Sequence, residues 1–415
     1  MINQTSKQQT LLQTALVEHT QTALPYYQQW MLDKPLVISQ SRFKDIEKLQ
    51  IIMSKLIRSF VTHYDQFSHL MPVSTEVAAI IDVWAKYEYQ IGTYRTDFVF
   101  DRDLQCRPIE ITCRFAMNGY FLTGILNNHV TQYPSHTSAI DFIFPYDDFL
   151  SYFLAQVNKH DSIIVLKDSE TKNESKIFEP ILKRAGIDVL YYSVEEINAR
   201  QGQFDEHLII NELTLDELKK LNLETHRNLA QANFLNDIRT VFLVHDKRFF
   251  SVIHDIELQT LALEPEEIEW CQKILIPSHT YSKSSKIWLD AKYNKNNWIL
   301  KHRALGKSEA VYAGPVTSEE EWQALFARVD INEFIIQQWI PQPRFKAYMN
   351  DSVVEDYFTG TVLYFNERNF GFAEFRTSSF PVTNQGDHRK CMSLILKDDT
   401  HFLNIQENND YILLK

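Results

Sequence analysis

The chain has 415 residues, more than one hydrophobic core ordinarily organises, and an apolar fraction of 44%, ample for two or three domains. Its 42 basic and 54 acidic residues give a formal charge of −12, which argues against a nucleic-acid scaffold built on clustered lysine and arginine but leaves local nucleotide binding open. Four cysteines without zinc spacing or a disulfide framework, no secretory pattern in residues 1–22 and no apolar run of membrane length lead us to expect a soluble cytoplasmic protein with no membrane partner.

Apolar residues recur at helical intervals over residues 12–32 and again over 43–67, where Ile46, Leu49, Ile52, Leu56, Ile57 and Phe60 share one face. A third helix is predicted over 77–89, so residues 1–90 read as an N-terminal helical layer. His63 and His69 fall in that layer and read as structural or solvated side chains.

The pattern changes at Tyr94. Residues 97–101 and 107–112 read as two short strands joined by a polar turn. Alternation points Arg95, Asp97 and Val99 to one side of the first, and Glu110 and Thr112 to one face of the second, so pairing brings two carboxylates and an arginine together. A nucleotide-bound Mg²⁺ takes one or two carboxylates together with phosphate oxygens, which this surface offers. The other reading is an ion-paired hairpin in which Arg95 neutralises Asp97 or Glu110.

A helix over 147–157 precedes a different rhythm. Strands are predicted at 162–166, 188–192 and 207–211, with an amphipathic helix over 176–185 that stops at Gly186. Strand, helix, strand with short connections implies right-handed crossovers in a parallel sheet, hence a small α/β domain at 161–242. It has no G-x-G-x-x-G, so a dinucleotide-binding reading lacks support.

Residues 244–254 read as a helix with Lys247 at its start. Residues 297–314 then read as strand, turn, strand: Lys301 ends the first apolar run, Gly306 and Lys307 lie in the loop, and Gly314 closes the second run. A lysine leaving a strand beside a flexible loop can hold phosphate oxygens, while an ordinary hairpin with exposed charges remains the other reading. Gly306-Lys307-Ser308 looks like the end of a P-loop, but Lys301 stands where that motif requires glycine and a strand follows where it requires a helix. A helix over 318–329 opens with Thr317 and Ser318 ahead of three glutamates. A strand over 334–340 ends at Pro341, and aromatic-rich strands are predicted at 358–365 and 371–376.

The order of these parts carries more than any one of them. Lys247 at a helix start, Lys301 at a strand end, a loop bounded by Gly306 and an apolar strand ending in Gln337-Gln338 are the parts of an ATP cleft. Over residues 91–390 the chain resembles the circularly permuted ATP-grasp ligases related to the synthetase domain of glutathionylspermidine synthetase. In that group an Arg-x-Asp, a gap and a Glu-x-Asn precede the nucleotide lobe. Arg95, Asp97 and Glu110 match, and Thr112 stands where asparagine is usual. Lys247, Pro277, Thr280, Lys301, Gly306 and Gln337 match the later pattern, Gln338 replaces a glutamate, and Arg376-Thr377-Ser378-Ser379 with Asn384 resembles the segment that closes the family's site.

The resemblance implies a permuted ATP-grasp fold of α+β and α/β parts. Residues 91–160 would form its metal-binding piece with flanking helices, 161–242 an inserted small Rossmann-like domain, and 243–415 the nucleotide-binding lobes. It implies an ATP-dependent ligase that activates a small amino-acid-like or peptide carboxylate as an acyl phosphate and joins it to an amine, with ATP and Mg²⁺ as cofactors and no nucleic-acid partner. Asp97, Glu110 and Thr112 would hold the metal, Lys247, Lys301, Gly306 and Lys307 the phosphates, and Gln337 and Gln338 would lie by the adenine. Arg95 would stabilise the transferring phosphoryl group, and Arg376 would meet a substrate carboxylate or else pair with a nearby acid. Arg114, Asn118, Tyr120 and Ser378 are the candidate substrate contacts. The single loop glycine, His302 in place of a proline, and Thr112 motivate a second reading, a non-catalytic nucleotide-binding or regulatory protein on the same fold. Cys113, beside the metal piece, reads as a buried small residue.

Overall fold

The computed structural model describes residues 11, 13–19, 21, 26–130, 140–142, 146–157, 162–170, 175–200, 204, 207–306, 308–350, 352–396, 398 and 412–414. Lys307 and parts of the helix expected over 12–32 lie outside the described residues.

Strand β1 (Leu36–Ile38) leads into helix α1 (Gln40–Thr62), whose N-cap Ser39 accepts a hydrogen bond from the Arg42 amide. The face expected from periodicity, from Ile46 to Phe60, is the buried one. A single turn, α2 (Tyr64–Phe67), and helix α3 (Thr75–Trp84) complete this layer. Strands β2 (Thr93–Phe100) and β3 (Cys106–Thr112) follow, then α4 (Tyr120–Val130), β4 (Ile140–Phe142) and α5 (Tyr146–Val157).

The small parallel unit runs β5 (Ser162–Leu166), α6 (Ser175–Arg184), β6 (Asp188–Tyr192), α7 (Val194–Ala199), β7 (Leu208–Asn211), α8 (Leu215–Lys219), α9 (Leu223–Gln231) and β8 (Asn233–Leu235). Its strand order is β6-β5-β7-β8, all parallel. Ile163 and Val165 pack into one core cluster and Ile164 and Leu166 into another, so the sheet is covered on both faces and its strands read as continuous apolar runs.

Short helices α10 (Ile238–Leu243), α11 (Phe249–Val252), α12 (Ile256–Ala262) and α13 (Pro265–Ile274) lead to β9 (Ser278–Thr280) and α14 (Lys286–Tyr293). Then come β10 (Trp298–His302), β11 (Val311–Ala313), α15 (Glu319–Leu325) and β12 (Phe334–Gln338). These strands form an antiparallel sheet ordered β11-β10-β12-β9, backed by Trp288, Leu300, Trp322, Phe334 and Ile336. The hairpin predicted over 297–314 is therefore present. The helix predicted over 244–254 is not: Lys247 lies in the turn between α10 and the four-residue α11.

The chain ends in β13 (Phe345–Met349), β14 (Ser352–Phe365), β15 (Arg368–Phe372), β16 (Phe375–Ser378), β17 (Arg389–Cys391), β18 (Ser393–Leu396) and β19 (Ile412–Leu414). Long strand β14 organises the largest sheet, ordered β17-β16-β14-β2-β3, with β13 and β15 also paired to it. The single strand expected over 371–376 breaks at Ala373 and Glu374 into β15 and β16, which take successive stretches of β14. At Gly360 on β14 a Cβ would stand 2.2 Å from Phe98 Cζ, so only glycine leaves room for that ring beside the strand. A fourth sheet, β19-β1-β18-β4, ties β1 to strands more than three hundred residues away.

Candidate functional site: a cationic cleft between two sheets

The site starts from an irregularity in the β2–β3 pair. Asp97 faces Glu110, but Phe98 faces Pro108, so Ile109 is an extra residue on β3. A bulge of this kind re-aims side chains and leaves a backbone group out of the ladder. Glu110 is turned into the cleft, and the Ile109 carbonyl accepts a hydrogen bond from Lys301 Nζ at 3.1 Å. The same ammonium donates to Gln337 Oε1 at 2.8 Å, and Gln337 Nε2 donates to Ser278 Oγ at 2.9 Å. Lys301, leaving β10, thus joins the antiparallel sheet to the large one.

Asp97 is fully buried between three strands. Its Oδ1 accepts from Thr361 on β14 at 2.9 Å and its Oδ2 from Arg376 on β16, while Arg95 Nε lies 3.8 Å from Oδ1. Lys247 Nζ stands 3.8 Å from Glu110 Oε2 and donates to the Leu305 carbonyl at 2.5 Å. Its turn is pinned to the exit of β10: the Lys247 amide donates to the Arg303 carbonyl at 2.9 Å, and Asp246 accepts from both Arg248 and Arg303 at 2.8 Å. Arg303 in turn donates to Glu333 at 2.6 Å.

The charges tune one another. Burial alone would raise the Glu110 carboxyl, but Lys247, Lys301, Arg376 and Arg95 outweigh it and hold the group at about 2, so it is ionised at neutral pH. Burial pulls the Lys301 ammonium down to about 8, with Glu110 opposing and Lys247 adding to the fall. For Arg376 burial is again the largest influence, yet attraction to Asp97 and Glu110 overcomes it and raises the guanidinium. His245, beside this cluster, is held neutral by burial and by Lys247 and Arg114, with its pKa at about 3.

Two cavities meet here. One takes in about 610 Å³, part of it open to solvent, and is walled by Ile109, Ile276, Ile299, Val311, Ile340 and Val382, with Lys301 and Gln337 at its polar end. The other is larger, about 3320 Å³ including open space, and polar, with Arg95, Thr112, Lys247, His245 and Gly306 among its walls. Glu110, Arg376 and Asn384 border both. The far wall of the larger cavity, formed by Glu170, Thr214, Asp216 and Lys219, comes from the segments that follow β5 and β7. The chain goes from β5 out to β6 and returns to the other side of β5 at β7, so this edge is the topological switch point of the parallel sheet, where such sheets bind ligands.

The structure brings together Arg95, Glu110, Thr112, Lys247, Lys301, Gly306, Gln337 and Arg376, with Gln338 exposed at the mouth of the apolar cavity. Arg114 lines the larger cavity and pairs with Glu170 at 3.5 Å, and Asn118 lines it while accepting from Arg95 at 3.0 Å. Asp97 lines neither cavity, since both its oxygens are engaged. Two candidate substrate contacts are corrected. Tyr120, 1% exposed, stacks on Phe149 with centroids 4.8 Å apart and donates to the Tyr364 carbonyl. Ser378 is buried, its hydroxyl accepting from the Phe380 and Asp387 amides, and lines neither cavity. Cys113 is buried, as read from the sequence. Periodicity did not point to His245, Gln342 or the Asp246–Arg303–Glu333 chain, whose partners are distant in sequence. Among the described residues no group of three or more His, Cys, Asp and Glu side chains gathers as a ready-made metal cage.

A family model described as the AnkG N-terminal domain matches residues 46–243, a span that includes the β2–β3 pair and the parallel sheet and ends before Lys247. No curated protein matches the chain. Among solved structures, a glutathione synthetase-like effector from Globodera pallida, in its apo form, aligns over 92% of this chain and 97% of that one with a TM-score of 0.54 at 12% identity. The chain has a glutathione synthetase-like α+β fold. At that identity the likeness speaks for the fold alone. No helix among the described residues is long and apolar enough to cross a membrane.

Proposed function

We propose that the protein is a circularly permuted ATP-grasp ligase that joins a carboxylate to an amine with conversion of ATP to ADP and phosphate. The observation that carries this reading is the meeting of an apolar cavity and a larger polar one at Glu110 and Arg376, ringed by Arg95, Lys247 and Lys301. The glutathione synthetase-like fold supports it, as does the order of the chain, with the β2–β3 piece ahead of the sheet that carries Lys301.

In this reading adenine occupies the apolar cavity, against the backbone that follows β12, and the phosphates extend toward Lys301 and Lys247. Glu110 and Thr112 fit a Mg²⁺ ion: an ionised carboxylate and a hydroxyl oxygen face the cavity where phosphate oxygens would complete the coordination. Asp97 fits less well, because Thr361 and Arg376 already occupy its oxygens. When bound, the ion supplies charge neutralisation for the transferred phosphoryl group.

The chain's own residues do the rest. Arg95 and Arg376 both line the larger cavity and bring guanidinium charge beside the point where phosphoryl charge develops. A substrate carboxylate oxygen attacks the γ-phosphorus and ADP leaves. The amine nitrogen then attacks the acyl carbon, phosphate departs and the nitrogen loses a proton. The acceptor's body lies against the switch-point edge, where Arg114 and Glu170 flank it.

Purified protein given Mg²⁺, ATP and a pool of amino acids and polyamines should release ADP and phosphate, and Glu110→Ala should abolish release. The absence of both turnover and nucleotide binding, the latter measured by calorimetry, would refute the reading. The sealed state of Asp97 favours a second one, a nucleotide-binding protein without ligase activity. ATP binding with no turnover and no response to Glu110→Ala would select it.

A further inference from the structure

Part of the larger cavity has an apolar wall. Val73, just ahead of α3, Val77 within that helix, Phe242 on α10 and Leu215, the first residue of α8, all line it. Val77 and Phe242 belong to the main core, and the half-buried Val73 and Leu215 pack against its edge. Helix α3 touches both α8 and α10, so the four side chains come from neighbouring elements.

The polar groups around them are already engaged. Lys219 pairs with Asp216 at 2.6 Å, and Arg248 pairs with Asp246 at 2.8 Å while donating to the Pro72 carbonyl at 2.9 Å. The Ser74 and Thr214 hydroxyls accept from the Val77 and Glu217 amides of their own helices. A ligand charge placed here would lose water without gaining a counter-ion, whereas an apolar group would gain by burial.

This wall is also tied to the charged centre. Arg114, two residues beyond Thr112, donates to the Leu213 carbonyl at 3.4 Å, and Asn211 donates to the Arg114 carbonyl at 3.2 Å. The start of α8 is thereby fixed to the exit of β3, the strand that carries Glu110. One continuous cavity joins Leu215 to Glu110 and Arg376.

We propose that this wall holds an aliphatic or aromatic side chain of the amine substrate, so that the acceptor is an apolar amino acid or a peptide that begins with one. The inference rests on the ligase reading above and adds to it the class of the acceptor.

In the test, the full chain receives Mg²⁺, ATP and an equimolar pool of amino acids and polyamines, and the products are fragmented by mass spectrometry to identify which compound supplied the nitrogen. Leucine, isoleucine, methionine and phenylalanine, as a group, should be incorporated about ten- to a hundredfold more than glycine, aspartate or lysine, the range that burial of such a side chain provides. Leu215→Lys, its fold checked by calorimetric ATP binding, should bring these ratios within about threefold, while Leu215→Met should keep them. Even incorporation by the wild type, a wild-type preference for polyamines or charged amino acids, or unchanged ratios in Leu215→Lys overturns the assignment and leaves the ligase reading standing. Absence of both product and ADP release overturns the ligase reading and the assignment with it. The wild-type ratios decide the matter even where a variant does not fold.

Discussion

Replacing Lys301 with methionine separates what this lysine costs the empty fold from what it offers a ligand. Burial lowers the ammonium from 10.5 to about 8, which corresponds to about 3 kcal/mol of unfavourable free energy for the charged form at neutral pH. Methionine removes that cost, but strands the Ile109 carbonyl and Gln337 Oε1, at about 1–3 kcal/mol. At pH 7 the variant should therefore be as stable as the wild type or more stable, by up to about 2 kcal/mol. The sign changes with pH. Between pH 8 and 10.5 the unfolded chain keeps a proton that the folded chain has released, so wild-type stability gains with rising pH and the variant's does not. By pH 10.5 Lys301→Met should be the less stable of the two by about 1–3 kcal/mol. Urea titrations of both proteins in steps from pH 7 to 10.5 measure this difference, in which the other titrating groups cancel. A difference independent of pH would refute the account of Lys301 as a desolvated cation. Phosphates at this site would restore its proton, so ATP affinity of the wild type should fall across the same interval.

Glu110 has the opposite linkage. Its carboxyl is held at about 2 against an ordinary 4.5, so it stabilises the fold fully above pH 4.5 and progressively less as pH falls toward 2. The stability advantage of the wild type over Glu110→Gln should shrink in that window when followed by circular dichroism. Gly360→Ala places a methyl group 2.2 Å from Phe98 and 2.6 Å from Phe375, and should destabilise the large sheet by about 1–3 kcal/mol or more in urea, without a pH dependence.

Much of the architecture is legible because it is periodic. The buried face of α1, the apolar strands of the parallel sheet and the convergence of Asp97 with Glu110 all follow from spacings of 3.6 or 2. The bulge at Ile109 is not legible, since nothing in Arg-Pro-Ile-Glu shows which residue will be extra. β1 escapes for a related reason: three residues carry no period, and its partners Ser393–Leu396 and Ile412–Leu414 lie at the far end of the chain. The apolar residues that follow Lys247 suggest a helix, whereas the Arg303 carbonyl and the Asp246 ion pairs hold it in a turn. Tyr120 and Ser378 show the limit of reading polarity as a ligand contact. Their hydroxyls are satisfied by backbone groups, one of them more than two hundred residues away.

The location of Asp97 has a consequence for how such a protein can diversify. Asp97, Thr361 and Arg376 stand on three neighbouring strands, and Glu110 on the strand beyond, so the charged centre inherits the stiffness of a hydrogen-bonded sheet. Glu170, Thr214 and Asp216, across the larger cavity, stand outside the strands in connecting segments and a first helical turn. Insertions and substitutions are tolerated in connections far more readily than in a paired sheet. The far wall can therefore be rewritten from one homologue to the next, changing what is accepted, while the charged centre keeps its shape.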